Sequence, residues 1–199
     1  MSTSASLVAE LRGITGAGIM DCRNALSENN NDLEKAIQYL REKGIASAVK
    51  KADRAAKQGL VYSYIHGGGT LGVLVEVNCE TDFVARTENY QALVKEIAMQ
   101  VAAMAPMYVT REEVPADLVN SEKEIYKAQL KEEGKPEAVW EKIVSGKLEK
   151  YYSQICLMEQ LYMKDPDGKQ TVKDLVTNAI ATIGENIVVR RFARFKIGE

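Results

Sequence analysis

The stretch LVYSYIHGGGTLGVLVEVNC, Leu60 to Cys79, decides the fold. Residues with a period of two stand on both sides of a glycine cluster, Gly67 to Gly69. Alternation split by glycines reads as a β-hairpin, because the alternate side chains share a face and glycine supplies the turn. With GGGT as the loop, His66 pairs with Leu71 and Tyr62 with Val75. One face then holds Leu60, Tyr62, Tyr64, Leu71, Val73, Val75 and Val77. The other holds Ser63, Glu76 and Asn78, so the sheet is covered on one side.

Downstream, EVNCETDFVAR (Glu76 to Arg86) leaves the second strand and enters a turn with Asp82 and Phe83 at its tip. A Phe in such a place either folds back into its own core or waits for a partner's. A helix follows from about Thr87 to Met104, with Tyr90, Leu93, Val94, Ile97 and Val101 at helical spacing, and Pro106 ends it. Residues from about Ala116 to Tyr152 read as a helical hairpin broken at EEGKPE. DPDGK, Asp165 to Lys169, is a turn. TVKD, from Thr171, caps a last helix closed by Gly184, and ENIVVRRFARFKI is a strand able to complete the sheet.

Upstream lie three short helices. Ser4 caps the first, with Leu7, Val8, Leu11 and Ile14 on one face. TGAG, Thr15 to Gly18, turns the chain into a second helix from about Ile19 to Glu28, which Asn29 to Asn31 break. Asn31 and Glu34 form a capping-box pattern for the third, whose Leu33, Ala36, Ile37 and Leu40 face inward and which Gly44 stops. The expected organisation is a three-helix domain over 1–44, a linker helix over 45–59 and a core over 60–199 that includes the helical hairpin near 116–152. Such an order is α+β, not a regular βαβ series.

Composition narrows the function. Of 199 residues 46% are hydrophobic and 27% charged, an ordinary globular balance. A net charge of −2 and a pI near 5.7 argue against gripping nucleic acid by bulk charge. No apolar run reaches the ~18 residues of a membrane span. The start, MSTSASLVAELR, has neither a basic segment nor a long apolar one, so no export and a cytoplasmic setting are expected. Cys22, Cys79 and Cys156 are scattered, which suits a reducing compartment.

The sequence carries little sign of catalytic chemistry. In the hairpin register Cys79 lies roughly 26 Å from His66, the one histidine, too far for a nucleophile–base pair. One His and three isolated Cys make no zinc site. Gly67 to Gly69 lead into a strand and belong to no GxxxxGK[ST] pattern, so a phosphate cradle is disfavoured. Carboxylates in KEIYKAQLKEEGK alternate with lysines, as on a solvated face. The basic–aromatic RRFAR, Arg190 to Arg194, invites RNA stacking, but strand alternation accounts for it. The expectation is a protein that works by binding: no enzyme, no cofactor, no metal.

LRGITGAGIMDCRNAL (Leu11 to Leu26) and EVNCETDFVAR both resemble the elongation factor Ts family, exchange factors for elongation factor Tu. The second stretch matches the family pattern throughout; the first departs at Arg23, where lysine is usual, and at Ile19, which replaces a common Met. AVKKAD, the GKPE break and IGENIVVRRF extend the resemblance over essentially the whole chain. It implies a ubiquitin-associated-like N-terminal domain that touches the G domain of elongation factor Tu through Arg12, Ile19, Met20, Arg23 and Lys51. Alternatively, Ile19 and Met20 only cap a small core. It also implies that the turn Thr81, Asp82, Phe83, Val84 enters the G domain. The competing possibility is that Phe83 packs inside and Asp82 caps the next turn. Longer members carry two related half-cores and this chain one, so a homodimer, or two factors with two GTPases, is expected through the core sheet. Some short members place a cysteine where Ala193 stands, so here pairing must rest on packing. The alternative function is an adaptor built on the three-helix module, without exchange activity.

Overall fold

The computed structural model describes residues 3–199. In chain order, α1 is Ala5–Thr15, α2 Ile19–Glu28 and α3 Leu33–Lys51. β1, Gln58–His66, and β2, Leu71–Cys79, form the hairpin, followed by the single turn α4, Asp82–Ala85, and by α5, Glu88–Met104. α6, Ala116–Glu132, and α7, Trp140–Ile155, precede α8, Val172–Ile183, and the closing strand β3, Val188–Lys196. The sheet is antiparallel in the order β1-β2-β3. The fold is α+β.

The hairpin keeps the expected register. A Cβ placed on Gly72 would meet Ile65, and one on Gly59 would meet Val77 and Asn78. Val73, Val75 and Val77 are buried while Leu74 and Ile65 are exposed, the alternation that a half-covered sheet demands. β3 joins as expected, with the Ile197 N–H donating to Thr70 O at 3.0 Å.

The chain falls into two compact units. The first holds the described residues up to Val61, with Glu76–Val94 and Asp174–Val189. Its helical module packs on Leu11, Cys22, Ala25, Leu26 and Ala36, all fully buried, with Leu7, Val8, Leu33, Ile37 and Leu40 around them. Ser4 caps α1 by accepting the Leu7 N–H at 3.2 Å. Three expectations are corrected. Ile14 is 57% exposed; the inward place in that last turn goes to Thr15, whose hydroxyl donates to Leu11 O and lies beside Cys22. The cap of α3 is Asp32, not Asn31, because Asn31 is held at φ +60° and Asp32 has the extended backbone that a cap needs. Gly44 does not stop α3, which runs on to Lys51. Its missing side chain serves packing instead: a Cβ there would lie 3.3 Å from the Ala181 methyl of α8. The linker helix expected over 45–59 is therefore the end of α3, then six residues that are neither helix nor strand, then the start of β1.

The second unit comprises Tyr62–Val75, Lys95–Lys173 and Arg190–Glu199. Its helical hairpin has its own core of Leu130, Val144 and Leu148, packed by Tyr126, Trp140 and Ile143. The Trp140 indole N–H donates to Lys135 O at 2.8 Å and ties down the connection. Arg111 pairs with Glu149 at 2.9 Å and Glu159 at 2.6 Å and lies over the Tyr152 ring. Gln100 and Gln160 are buried but satisfied, each through the other and through neighbouring backbone.

Candidate functional site

The end of β2 is fastened before the turn begins. Cys79 is buried, and its thiol donates to Thr81 O at 3.1 Å. The Tyr90 hydroxyl, also buried, donates to Val77 O at 2.7 Å. Thr81 then takes extended backbone and caps α4, its hydroxyl oxygen accepting the Val84 N–H. A cap followed by one helical turn fixes which way each side chain points. Ala85 goes inward and is buried, Val84 is half-buried, and Phe83 stands 78% exposed. Asp82 does not cap; it pairs with Arg86 one turn on, at 2.9 Å.

Fully burying a Phe side chain is worth about 1.5–3 kcal/mol. This chain forgoes that at Phe83. A single exposed apolar residue needs no explanation by itself. What distinguishes Phe83 is the rigidity beneath it. One carboxylate, Glu185, accepts the N–H groups of Glu80 and Thr81 at 3.0 Å each and the Thr81 hydroxyl at 2.6 Å. The Asn186 N–H donates to the Glu80 carboxylate at 2.7 Å, and the Asn186 amide donates to Ala52 O and Arg54 O. The Glu80 carboxylate also meets Arg54 at 3.4 Å.

The helical module offers a second surface in the same unit. Arg12, Ile19 and Arg23 line one open groove of about 750 Å³ with Val8, Ala9 and Gly13. Ile19 and Met20 lie at the solvent side of α2, 55% and 64% exposed, so neither caps the buried cluster. Lys51 is placed differently. Its ammonium donates to Ser47 Oγ at 2.7 Å and to Ile180 O at 3.5 Å, which holds it against α8.

The thiols show no sign of activation. Burial pushes the Cys79 thiol up, and pushes Cys156 up to about 11, so at neutral pH both are protonated. His66 is exposed at the hairpin end, where Nδ1 lies 2.9 Å from the Tyr64 hydroxyl. Among the described residues no cluster of His, Cys, Asp or Glu has the makings of a metal site. Nor is any helix long and apolar enough to cross a membrane. In RRFAR, Arg194 already donates to Ala102 O and pairs with Glu199.

The sequence does not mark Glu185 and Asn186 as site residues. They lie about a hundred positions from the turn they hold, and the only local hint is a polar pair between Gly184 and the apolar start of β3.

Comparison with known proteins agrees with the geometry. The family model described as elongation factor TS matches residues 18–169. Elongation factor Ts of Geobacter sulfurreducens is 61% identical over 199 residues, covering 100% of this chain and 91% of that protein. Its counterpart in Anaeromyxobacter dehalogenans is 62% identical over 196 residues, covering 98% of this chain and 89% of the relative. In Heliobacterium modesticaldum the identity is 58% over 196 residues, covering 98% and 90%. An exposed aromatic on a fastened tip, a grooved helical module and similarity along the whole chain converge: the chain belongs to the elongation factor Ts family.

Proposed function

We propose that this chain, a translation elongation factor by its family, binds elongation factor Tu and promotes release of GDP so that GTP can rebind. The observation that carries the proposal is Phe83, a large apolar ring held in solvent on a braced turn. Such a ring can wedge between side chains that support the nucleotide and its Mg²⁺. Asp82, already charge-paired to Arg86, can exchange that partner for groups at the same place. Arg12, Ile19, Met20 and Arg23 supply a second anchor on the helical module, so the wedge need not provide all the affinity. Lys51, at the end of α3, adds its charge to that contact from beside α8. The module of 1–44 docks and the core of 60–199 delivers the wedge.

No covalent step is needed. Exchange is a coupling between two ligands of the GTPase, and it is reciprocal. A factor that binds the empty GTPase more tightly than the GDP-bound form speeds GDP loss, and rebinding of nucleotide weakens the factor's hold by the same free energy. The setting is the cytoplasm, with no cofactor, nucleic acid or membrane involved. The active species is a homodimer or a complex of two factors with two GTPases.

Release of fluorescent GDP from elongation factor Tu, followed by stopped flow, tests the proposal. The chain should accelerate release, and Phe83→Ala should slow it more than it weakens docking. An adaptor without exchange activity predicts binding with no acceleration. An unchanged release rate in Phe83→Ala removes the ring from the mechanism.

A further inference from the structure

We infer that Glu185 is the positioning residue of the Asp82–Phe83 tip, a single carboxylate that sets the angle at which the ring meets its partner. The inference rests on the exchange function proposed above and goes beyond it, because Glu185 is far from the tip in sequence and acts on it through the backbone of Glu80 and Thr81.

The geometry is specific. Glu185 Oε2 accepts two successive backbone N–H groups, from Glu80 and Thr81, both at 3.0 Å. Its Oε1 accepts the Thr81 hydroxyl at 2.6 Å. That hydroxyl in turn accepts the Val84 N–H, and so transmits the clamp into α4. A carboxylate taking successive N–H groups fixes the plane of the intervening peptide, and a charged acceptor makes these hydrogen bonds stronger than neutral ones. The neighbouring Asn186 N–H holds the Glu80 side chain at 2.7 Å from the other side. The backbone beneath Phe83 is thus braced, and the ring itself stands exposed.

The clamp also has an origin. Glu185 follows directly on α8 and Gly184, and α8 packs against α3 of the helical module at Gly44 and Lys51. The docking module and the wedge therefore share one support. A wedge that tilts when it meets resistance stabilises nothing. Removing the clamp should consequently cost exchange rate rather than docking.

Glu185→Ala and Glu185→Gln in the full chain test this, alone and combined with Phe83→Ala. Glu185→Ala should lower the maximal rate of GDP release at saturating factor about tenfold, the effect expected when charge-assisted hydrogen bonds are lost. The factor concentration giving half-maximal effect should shift less. Gln keeps the shape: its amide oxygen accepts both backbone N–H groups and its amide N–H₂ can face the Thr81 oxygen. Its neutral hydrogen bonds are roughly half as strong, so Glu185→Gln should slow release only about threefold. Combined with Phe83→Ala, Glu185→Ala should add almost nothing, because a residue that acts only through the ring has no further effect once the ring is gone. Amide hydrogen exchange without the partner should rise over residues 80–86 and stay unchanged in the module core.

Full maximal rate in Glu185→Ala overturns the inference, as do additive losses in the double variant. Equal losses in Ala and Gln overturn it in favour of a role for the charge itself. If the unaltered chain fails to accelerate release, the exchange function falls, which is a different result from a wedge that works without its clamp.

Discussion

At the scale of single residues, exposure and support together separate the two fates open to Phe83. A buried Phe replaced by Ala costs about 3–5 kcal/mol. Phe83 is 78% exposed, so Phe83→Ala should change folding stability by no more than about 0.5 kcal/mol. Thermal melting should show this while GDP release slows, and a large drop in melting temperature would instead place the ring in the core. Asp82 carries a smaller share. Its pair with Arg86 is a surface i,i+4 contact, worth about 0.3–0.5 kcal/mol. The partner must replace it to use the carboxylate. Asp82→Ala should therefore slow release less than Phe83→Ala, measured side by side; the reverse order would make the carboxylate the principal effector.

At the scale of elements, two glycines and one aspartate show what local pattern reveals and what it hides. Gly59 has φ +143°, and a Cβ there would lie 2.2 Å from Val77 O on the adjacent strand. Gly59→Ala should destabilise the chain by at least ~1–3 kcal/mol, read by denaturant unfolding, since overpacking and left-handed strain act together. Asp165 holds the DPDGK turn by accepting the N–H groups of Lys169 at 2.6 Å and Gln170 at 2.7 Å. Those backbone donors, Gln170 first and then Lys169, lower its carboxyl below the ordinary range. A depressed carboxylate stabilises the fold above its unfolded pKa and loses that contribution as pH falls through the folded one. The turn should open only below the usual aspartate range, and Asp165→Ala should open it already at neutral pH, seen as proteolytic nicking at 165–170. Period and punctuation made the hairpin, α2, the helical hairpin and β3 legible, because alternation, glycine and proline act over a few residues. Gly44 misled for the same reason. A glycine that ends a helix and one that lets a second helix approach look alike until α8 is in place. Phe83 was legible as an oddity within its own turn, but Glu185 was not, because its three hydrogen bonds span the chain from one end of the core to the other.

At the scale of the whole molecule, the question is what covers the open side of the sheet. On the second unit, Ile65, Leu74 and Phe195 are exposed and by strand alternation share the face that Val73 and Val75 do not, and Ile197, one residue past the end of β3, is exposed too. Ala193, also on that face, has no sulfur to lock a pair covalently, so only packing can hold a second copy. Two such faces meeting about a two-fold axis would be self-complementary, the commonest arrangement of soluble oligomers. A specific pair needs about 1,200–2,000 Å² of buried surface, and an apolar centre of large side chains is where its energy would concentrate. We therefore expect light scattering at micromolar concentration to report twice the 22.0 kDa chain mass. Leu74→Glu places a charge on the middle strand of that face without touching Phe83, Glu185 or the helical module. It should return a monomer whose melting is little changed, because Leu74 is half exposed already. If two chains are needed to present the wedge correctly, this variant should also lose exchange activity. A strict monomer from the unaltered chain, exchanging at full rate, would refute the pairing and leave the exposed apolar face without a role in exchange.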